Sequence, residues 1–171
     1  MHPACGRTVP EMDREGGYTW IKAPRLDGRP CEVGPLARAV LGGRDPGCRG
    51  VWGRYLARAS ECSLLAAAMQ RWLDELPAGG DAYPASFPPD ASGVGRGLLE
   101  APRGALGHWC LLDAGRITGY QIVAPTTWNA SPRDDGGRPG PRERALEGLA
   151  VADVANPVEA LRVVRSFDPC L

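Results

Sequence analysis

Between residues 51 and 76 the apolar positions Trp52, Tyr55, Leu56, Ala59, Cys62, Leu65, Ala66, Met69, Trp72, Leu73 and Leu76 recur at intervals of three and four. That spacing lines one side of an α-helix, and no other part of the chain is as long or as regular. Pro77-Ala78-Gly79-Gly80 ends it. Arg54, Arg58 and Arg71 fall mainly between the apolar positions, which makes them a solvated or interfacial face, and Cys62 on the apolar side is expected in the core.

Around this helix the chain is punctuated by 23 Gly and 17 Pro, so the remaining elements must be short. Pro3, Pro10, Pro24 and Pro30 remove backbone donors too often for a helix in residues 1–34, which read as loop with short extended pieces. Residues 77–97, with Pro77, Pro84, Pro88 and Pro89, read as a crossing loop. The glycines of Gly93-Val94-Gly95-Arg96-Gly97 are only superficially like a phosphate loop. His108-Trp109-Cys110-Leu111-Leu112 and Ile117-Thr118-Gly119-Tyr120-Gln121-Ile122-Val123, joined through Asp113-Ala114-Gly115-Arg116, predict a β-hairpin. A short helix over 142–149 follows a polar stretch. A last helix is then opened by Asn156 as cap, Pro157 at the first position and Glu159, running toward Arg165. The fold class is α+β, mainly helical, with one long helix, a β-hairpin and long Gly/Pro-rich loops.

A length of 171 residues suits one domain or a piece of a larger one. Lys plus Arg and Asp plus Glu both number 20, so no net field draws the chain to nucleic acid or an anionic membrane. No apolar stretch approaches the roughly 20 residues that span a bilayer, and Met1-His2-Pro3-Ala4-Cys5-Gly6 lacks the pattern of a secretory signal. The six cysteines, Cys5, Cys31, Cys48, Cys62, Cys110 and Cys170, are irregularly spaced with no C-x-x-C pair, which reads as mostly reduced, inert thiols and not as a disulfide framework.

Four segments stand out, in this order: Tyr18-Thr19-Trp20-Ile21-Lys22-Ala23-Pro24-Arg25 running into Glu32-Val33-Gly34-Pro35-Leu36-Ala37-Arg38; Leu99-Glu100-Ala101-Pro102-Arg103-Gly104-Ala105-Leu106-Gly107-His108; Pro125-Thr126-Thr127-Trp128-Asn129-Ala130-Ser131-Pro132-Arg133-Asp134; and Arg165-Ser166-Phe167-Asp168-Pro169-Cys170. Together and in this order they resemble the nickel-iron hydrogenase large subunit. The first looks most like the respiratory, hydrogen-uptake branch. Leu26, where the family usually has an aromatic residue, and Cys31, where it often has methionine, depart from it. Residues 1–171 are expected to be the carboxyl-terminal part of the large-subunit domain, without its amino-terminal cysteine pair or the last residues of its carboxyl-terminal motif.

The resemblance implies a nickel and an iron bridged by cysteine thiolates, with carbon monoxide and cyanide on the iron. Cys170 matches the terminal nickel ligand, a soft donor that is also a candidate proton acceptor; without its Asp-Pro-Cys context it would read as an ordinary free thiol. Pro169 disfavours helix at Asp168, so an extended exit is expected there. Arg103 and Asp168 match residues around the metals: a guanidinium above the open site acting as base or stabilising developing charge, oriented by the aspartate, or alternatively a surface ion pair. Pro102 restrains that loop. Thr126, after Pro125, matches a donor to iron-bound cyanide, or is a threonine in a turn. His108 has no ligand partner at suitable spacing and reads as structural.

The implied activity is reversible oxidation of dihydrogen to protons and electrons. The electrons would pass to a small subunit carrying iron-sulfur clusters, because the chain has no cluster-binding cysteine series. A membrane cytochrome b is a further implied partner. The implied location is membrane-associated on the periplasmic side, by export with the small subunit, with a cytoplasmic one as alternative. A regulatory hydrogen sensor of the same family and an inactive fragment are the other readings.

Overall fold

The long helix is α2, Gly50–Glu75; at 1.5 Å per residue it runs about 39 Å. In the computed structural model, which describes residues 3–5, 8, 10–80 and 88–170, it is preceded by the short α1, Pro35–Leu41, with Pro at the first helical position. The expectations for Met1, His2, Gly6 and Pro84 concern residues outside that set. Strands β1, Gly93–Ala101, β2, Gly104–Asp113, and β3, Arg116–Val123, follow, then α3, Pro125–Asn129, α4, Pro141–Leu146, and α5, Val158–Ser166. The α+β, mainly helical character holds.

The expected hairpin is β2–β3. Its two-residue turn places Ala114 at φ 45° and Gly115 at φ 73°, the handedness that matches strand twist. The strained Ala114 is tied down, since its N–H donates to Ser92 Oγ at 2.9 Å. The sheet has a third strand. Residues 93–97, expected as the end of a loop, form with 98–101 the strand β1, antiparallel to β2, because a glycine-rich stretch with Val94, Leu98 and Leu99 needs only a neighbouring backbone to pair with.

Further expectations are corrected. Only Gly53, Arg54 and Ala57 of α2 are buried, while Trp52, Met69, Trp72 and Leu73 are exposed and so is Cys62. The reason is that α1 and α5 are the elements packed on α2, and they meet it near its start. Of the solvated or interfacial face expected for the α2 arginines, Arg54 takes the interfacial alternative and is 8% exposed. Asn156 makes no capping bond: α5 begins at Val158 with Pro157 before it, and α4 closes at Leu146, short of residue 149.

Leu36, Ala57, Val123, Val163 and Phe167 form the apolar core, joined by the buried polar side chains of Arg54, Asn129, Ser131 and Ser166. This core sits where the four segments quoted above converge. Among the described residues no helix is long and apolar enough to cross a membrane.

Candidate functional site

Arg103 stands at the tip of the β1–β2 hairpin. Ala101 pairs with Gly104, so the connection is only Pro102 and Arg103. The tip is pressed onto residues 33 and 34: a Cβ on Gly104, at φ 134°, would lie 2.6 Å from Val33 Cγ2 and 2.7 Å from Gly34 N. Arg38 of α1 grips it from behind, donating to the Ala101 carbonyl at 3.0 Å and the Pro102 carbonyl at 2.9 Å. Arg38 is itself held by both oxygens of Glu61, at 2.7 and 2.6 Å, and by Glu100 at 2.7 Å. The Glu61 carboxylate raises the Arg38 pKa above its ordinary value against the opposing effect of burial, with Glu100 adding to it.

Asp168 reaches Arg103 from the end of α5. Its backbone is left-handed, φ 50°, and not extended as expected. Pro169 excludes the right-handed helix at the preceding residue, and aspartate is among the few side chains that tolerate the left-handed well. The Asp168 N–H still closes the helix on the Arg165 carbonyl at 2.9 Å. This turn brings two Asp168 acceptors to one donor: Arg103 Nε lies 3.0 Å from Oδ2 and 2.9 Å from the backbone oxygen. Both side chains are partly exposed.

Two residues on, the Cys170 N–H donates to Thr126 Oγ1 at 3.0 Å; accepting this bond leaves the Thr126 hydroxyl hydrogen to donate elsewhere. Thr126 lies in the first turn of α3, after the buried Pro125. The Cys170 thiol is exposed. Arg103 with Asp168, and Thr126 with Cys170, are thus brought together as two pairs joined through residues 168–170, with Pro102 and Pro125 setting the two turns. His108 is structural, its Nδ1 2.9 Å from the Tyr120 hydroxyl.

Several residues that hold the site were not read from the sequence. Asn129 fixes Val33 through two bonds of 2.9 Å. Arg54 pairs with both oxygens of Glu32 at 2.8 Å, donates to Ser166 Oγ at 3.2 Å and stacks 3.6 Å from the Phe167 ring centroid. Arg58 donates to the Ser166 carbonyl at 2.9 Å. The available signal was the spacing of Arg54, Arg58 and Glu61 on one side of α2.

For a metal the chain offers one soft donor. Among the described residues no group of three or more His, Cys, Asp or Glu could hold an ion, so the donor set fits one corner of a thiolate-held nickel site and does not close it.

Asp-Pro-Cys, an arginine-bearing hairpin tip and a Pro-Thr helix start thus converge in one place. The chain belongs to the nickel-dependent hydrogenase family, whose model matches residues 1–47 and 42–171. It is 41% identical over 195 residues to the periplasmic [NiFeSe] hydrogenase large subunit of Desulfomicrobium baculatum, covering 100% of this chain and 38% of that relative. It is 38% identical to the hydrogenase-1 large chain of Escherichia coli strain K12, covering 95% of this chain and 32% of that one. A crystal structure of a reduced, active form of the nickel-iron-selenium hydrogenase from Desulfomicrobium baculatum superposes with a TM-score of 0.89 at 42% identity, over 99% of this chain and 40% of that one. The chain therefore spans roughly a third to two fifths of the length of these relatives.

Proposed function

We propose that these residues form part of the catalytic large subunit of a nickel-iron hydrogenase that oxidises dihydrogen reversibly. The observation that carries this reading is the joint placement of Arg103, Thr126, Asp168 and Cys170 by three segments distant in sequence. Cys170 would be one thiolate ligand of the nickel, the others coming from sequence outside these residues, and Pro125 and Thr126 would face an iron carrying carbon monoxide and cyanide. When bound, such a centre supplies the binding and two-electron oxidation of hydrogen.

The chain's own part is to hold charge in place. Asp168 fixes Arg103 by Nε, which prevents the guanidinium from swinging freely and keeps a cation where charge changes during turnover. The Cys170 sulfur, as a thiolate, would take up a proton. The Thr126 hydroxyl would donate to an anionic ligand of the iron. Electrons would leave to a small subunit with iron-sulfur clusters, and onward to a membrane cytochrome b on the periplasmic side, in line with the periplasmic and quinone-reactive relatives.

Nickel analysis of the complete large subunit in its heterodimer tests the assignment. Cys170→Ser should lower nickel severely, since a serine hydroxyl is a hard donor with a far higher pKa. Wild-type nickel in that variant removes Cys170 from the centre.

A further inference from the structure

Arg54, Arg58 and Glu61 occupy positions i, i+4 and i+7 of the unbroken helix α2, so they lie along one stripe. From this stripe run the bonds that hold both halves of the candidate site. At one end Arg54 donates to Ser166 Oγ at 3.2 Å and stacks on Phe167, and Arg58 takes the Ser166 carbonyl at 2.9 Å. Ser166 and Phe167 are the two residues before the left-handed turn at Asp168. At the other end Glu61 holds Arg38 by two bonds of 2.7 and 2.6 Å. Arg38 in turn holds the carbonyls of Ala101 and Pro102, the two residues before Arg103.

We propose that Arg54, Arg58 and Glu61 are positioning residues. This one stripe of α2 sets the relation between the Arg103 tip and the Asp168–Cys170 turn and so confines the Cys170 thiol to one place. The inference rests on the reading of those residues as the site. None of the three touches the reacting atoms; they act through Ser166, Phe167 and Arg38. An α-helix is suited to this because its backbone bonds are closed internally, so two turns behave as a rigid spacer of about 10 Å. Arginine is suited because its planar fork fixes direction, takes two partners at once and stacks on an aromatic ring, and lysine offers only a mobile point charge. The Arg54 side chain is 9% exposed, so its bonds compete little with water.

Iodoacetamide alkylation of Cys170, followed by mass spectrometry in the complete large subunit from nickel-starved cells, reads this confinement without reference to turnover. In Arg54→Lys the rate at Cys170 should rise about fivefold or more, the scale of one lost charge-assisted bond. Cys62 should react as in wild type, and Arg71→Gln, at the exposed far end of α2, should leave both rates alone. In the loaded heterodimer Arg54→Lys should lower kcat and leave the KM for hydrogen unmoved, and Glu61→Gln should do the same from the Arg103 side. Should Arg54→Lys fail to fold, Ser166→Ala removes the hydroxyl that accepts from Arg54 and donates to the Val163 carbonyl, leaves the Arg58 bond and the Phe167 stacking, and should raise alkylation by a smaller factor. Unchanged Cys170 alkylation in these folded variants overturns the positioning role, and wild-type nickel in Cys170→Ser instead overturns the site reading while leaving the alkylation result standing.

Discussion

Asn129 satisfies both backbone groups of Val33: its Nδ2 donates to the Val33 carbonyl and its Oδ1 accepts from the Val33 N–H, each at 2.9 Å. The residue is 3% exposed, and it locks α3 to the loop segment on which the Arg103 tip rests. Replacing it with aspartate turns the donor into a second acceptor facing a carbonyl. Asn129→Asp should cost about 2 to 3 kcal/mol of stability, measurable by thermal or urea unfolding of the assembled subunit, and Asn129→Ala should cost a comparable amount by leaving both Val33 groups unpaired.

Arg103 gives the sharpest functional expectation. Arg103→Lys keeps the charge and loses the fork that shares its Nε–H between two Asp168 oxygens. The heterodimer should assemble with normal nickel and iron while hydrogen oxidation falls at least tenfold, about 1.4 kcal/mol of transition-state stabilisation. Asp168→Asn should show a smaller loss, because the backbone oxygen still accepts from Arg103. A metal-replete Arg103→Lys enzyme at the wild-type rate would make Arg103 structural.

Expressed alone, the 171 residues should not retain nickel, because one thiolate cannot supply the coordination the metal needs. Elemental analysis of the purified product checks this. Stoichiometric nickel there would contradict the donor set described above.

Gly104 sets the height of the hairpin tip. A methyl group at this position would meet Val33 Cγ2 at 2.6 Å and the Gly34 backbone nitrogen at 2.7 Å on a backbone of φ 134°, so Gly104→Ala combines strain with a clash against side chain and main chain. It should cost about 2 kcal/mol or more in unfolding experiments and should lower hydrogen oxidation as well, since Arg103 is the adjacent residue.

The loop before α2 carries a pH marker. Asp45 is lowered to about 2 from 3.8, chiefly by its hydrogen bonds from Arg49 and secondarily by the Gly47 N–H. A depressed folded-state pKa means the favourable interaction is fully present above 3.8 and is lost as pH falls toward 2. Carbon-detected NMR titration should therefore find the Asp45 carboxyl protonating near 2, and Arg49→Gln should move it up toward the ordinary value.

What could be read from the sequence followed from how local each signal is. The 50–75 helix and the 113–116 turn are governed by spacing and by glycine chemistry within a few residues, and both formed as expected. Strand β1 was hidden because Gly93, Gly95 and Gly97 carry no strand preference of their own; pairing with β2 decides it. The four segments of the site were visible as strings, but their order alone does not say that Asp168 shares one N–H of Arg103 or that Thr126 accepts from Cys170. For Arg54 the sequence left a solvated and an interfacial face open for a related reason. Only tertiary contact shows that Glu32, Ser166 and Phe167 give a guanidinium enough partners to be buried.

The left-handed backbone at Asp168 narrows what evolution or an engineer can write at that position. Asparagine and glycine accept the backbone shape but bring no negative charge to Arg103. Glutamate brings the charge but pays steric energy for the shape and reaches one carbon too far. Aspartate alone answers both demands, so position 168 is a bottleneck at which single-step substitution has no neutral neighbour.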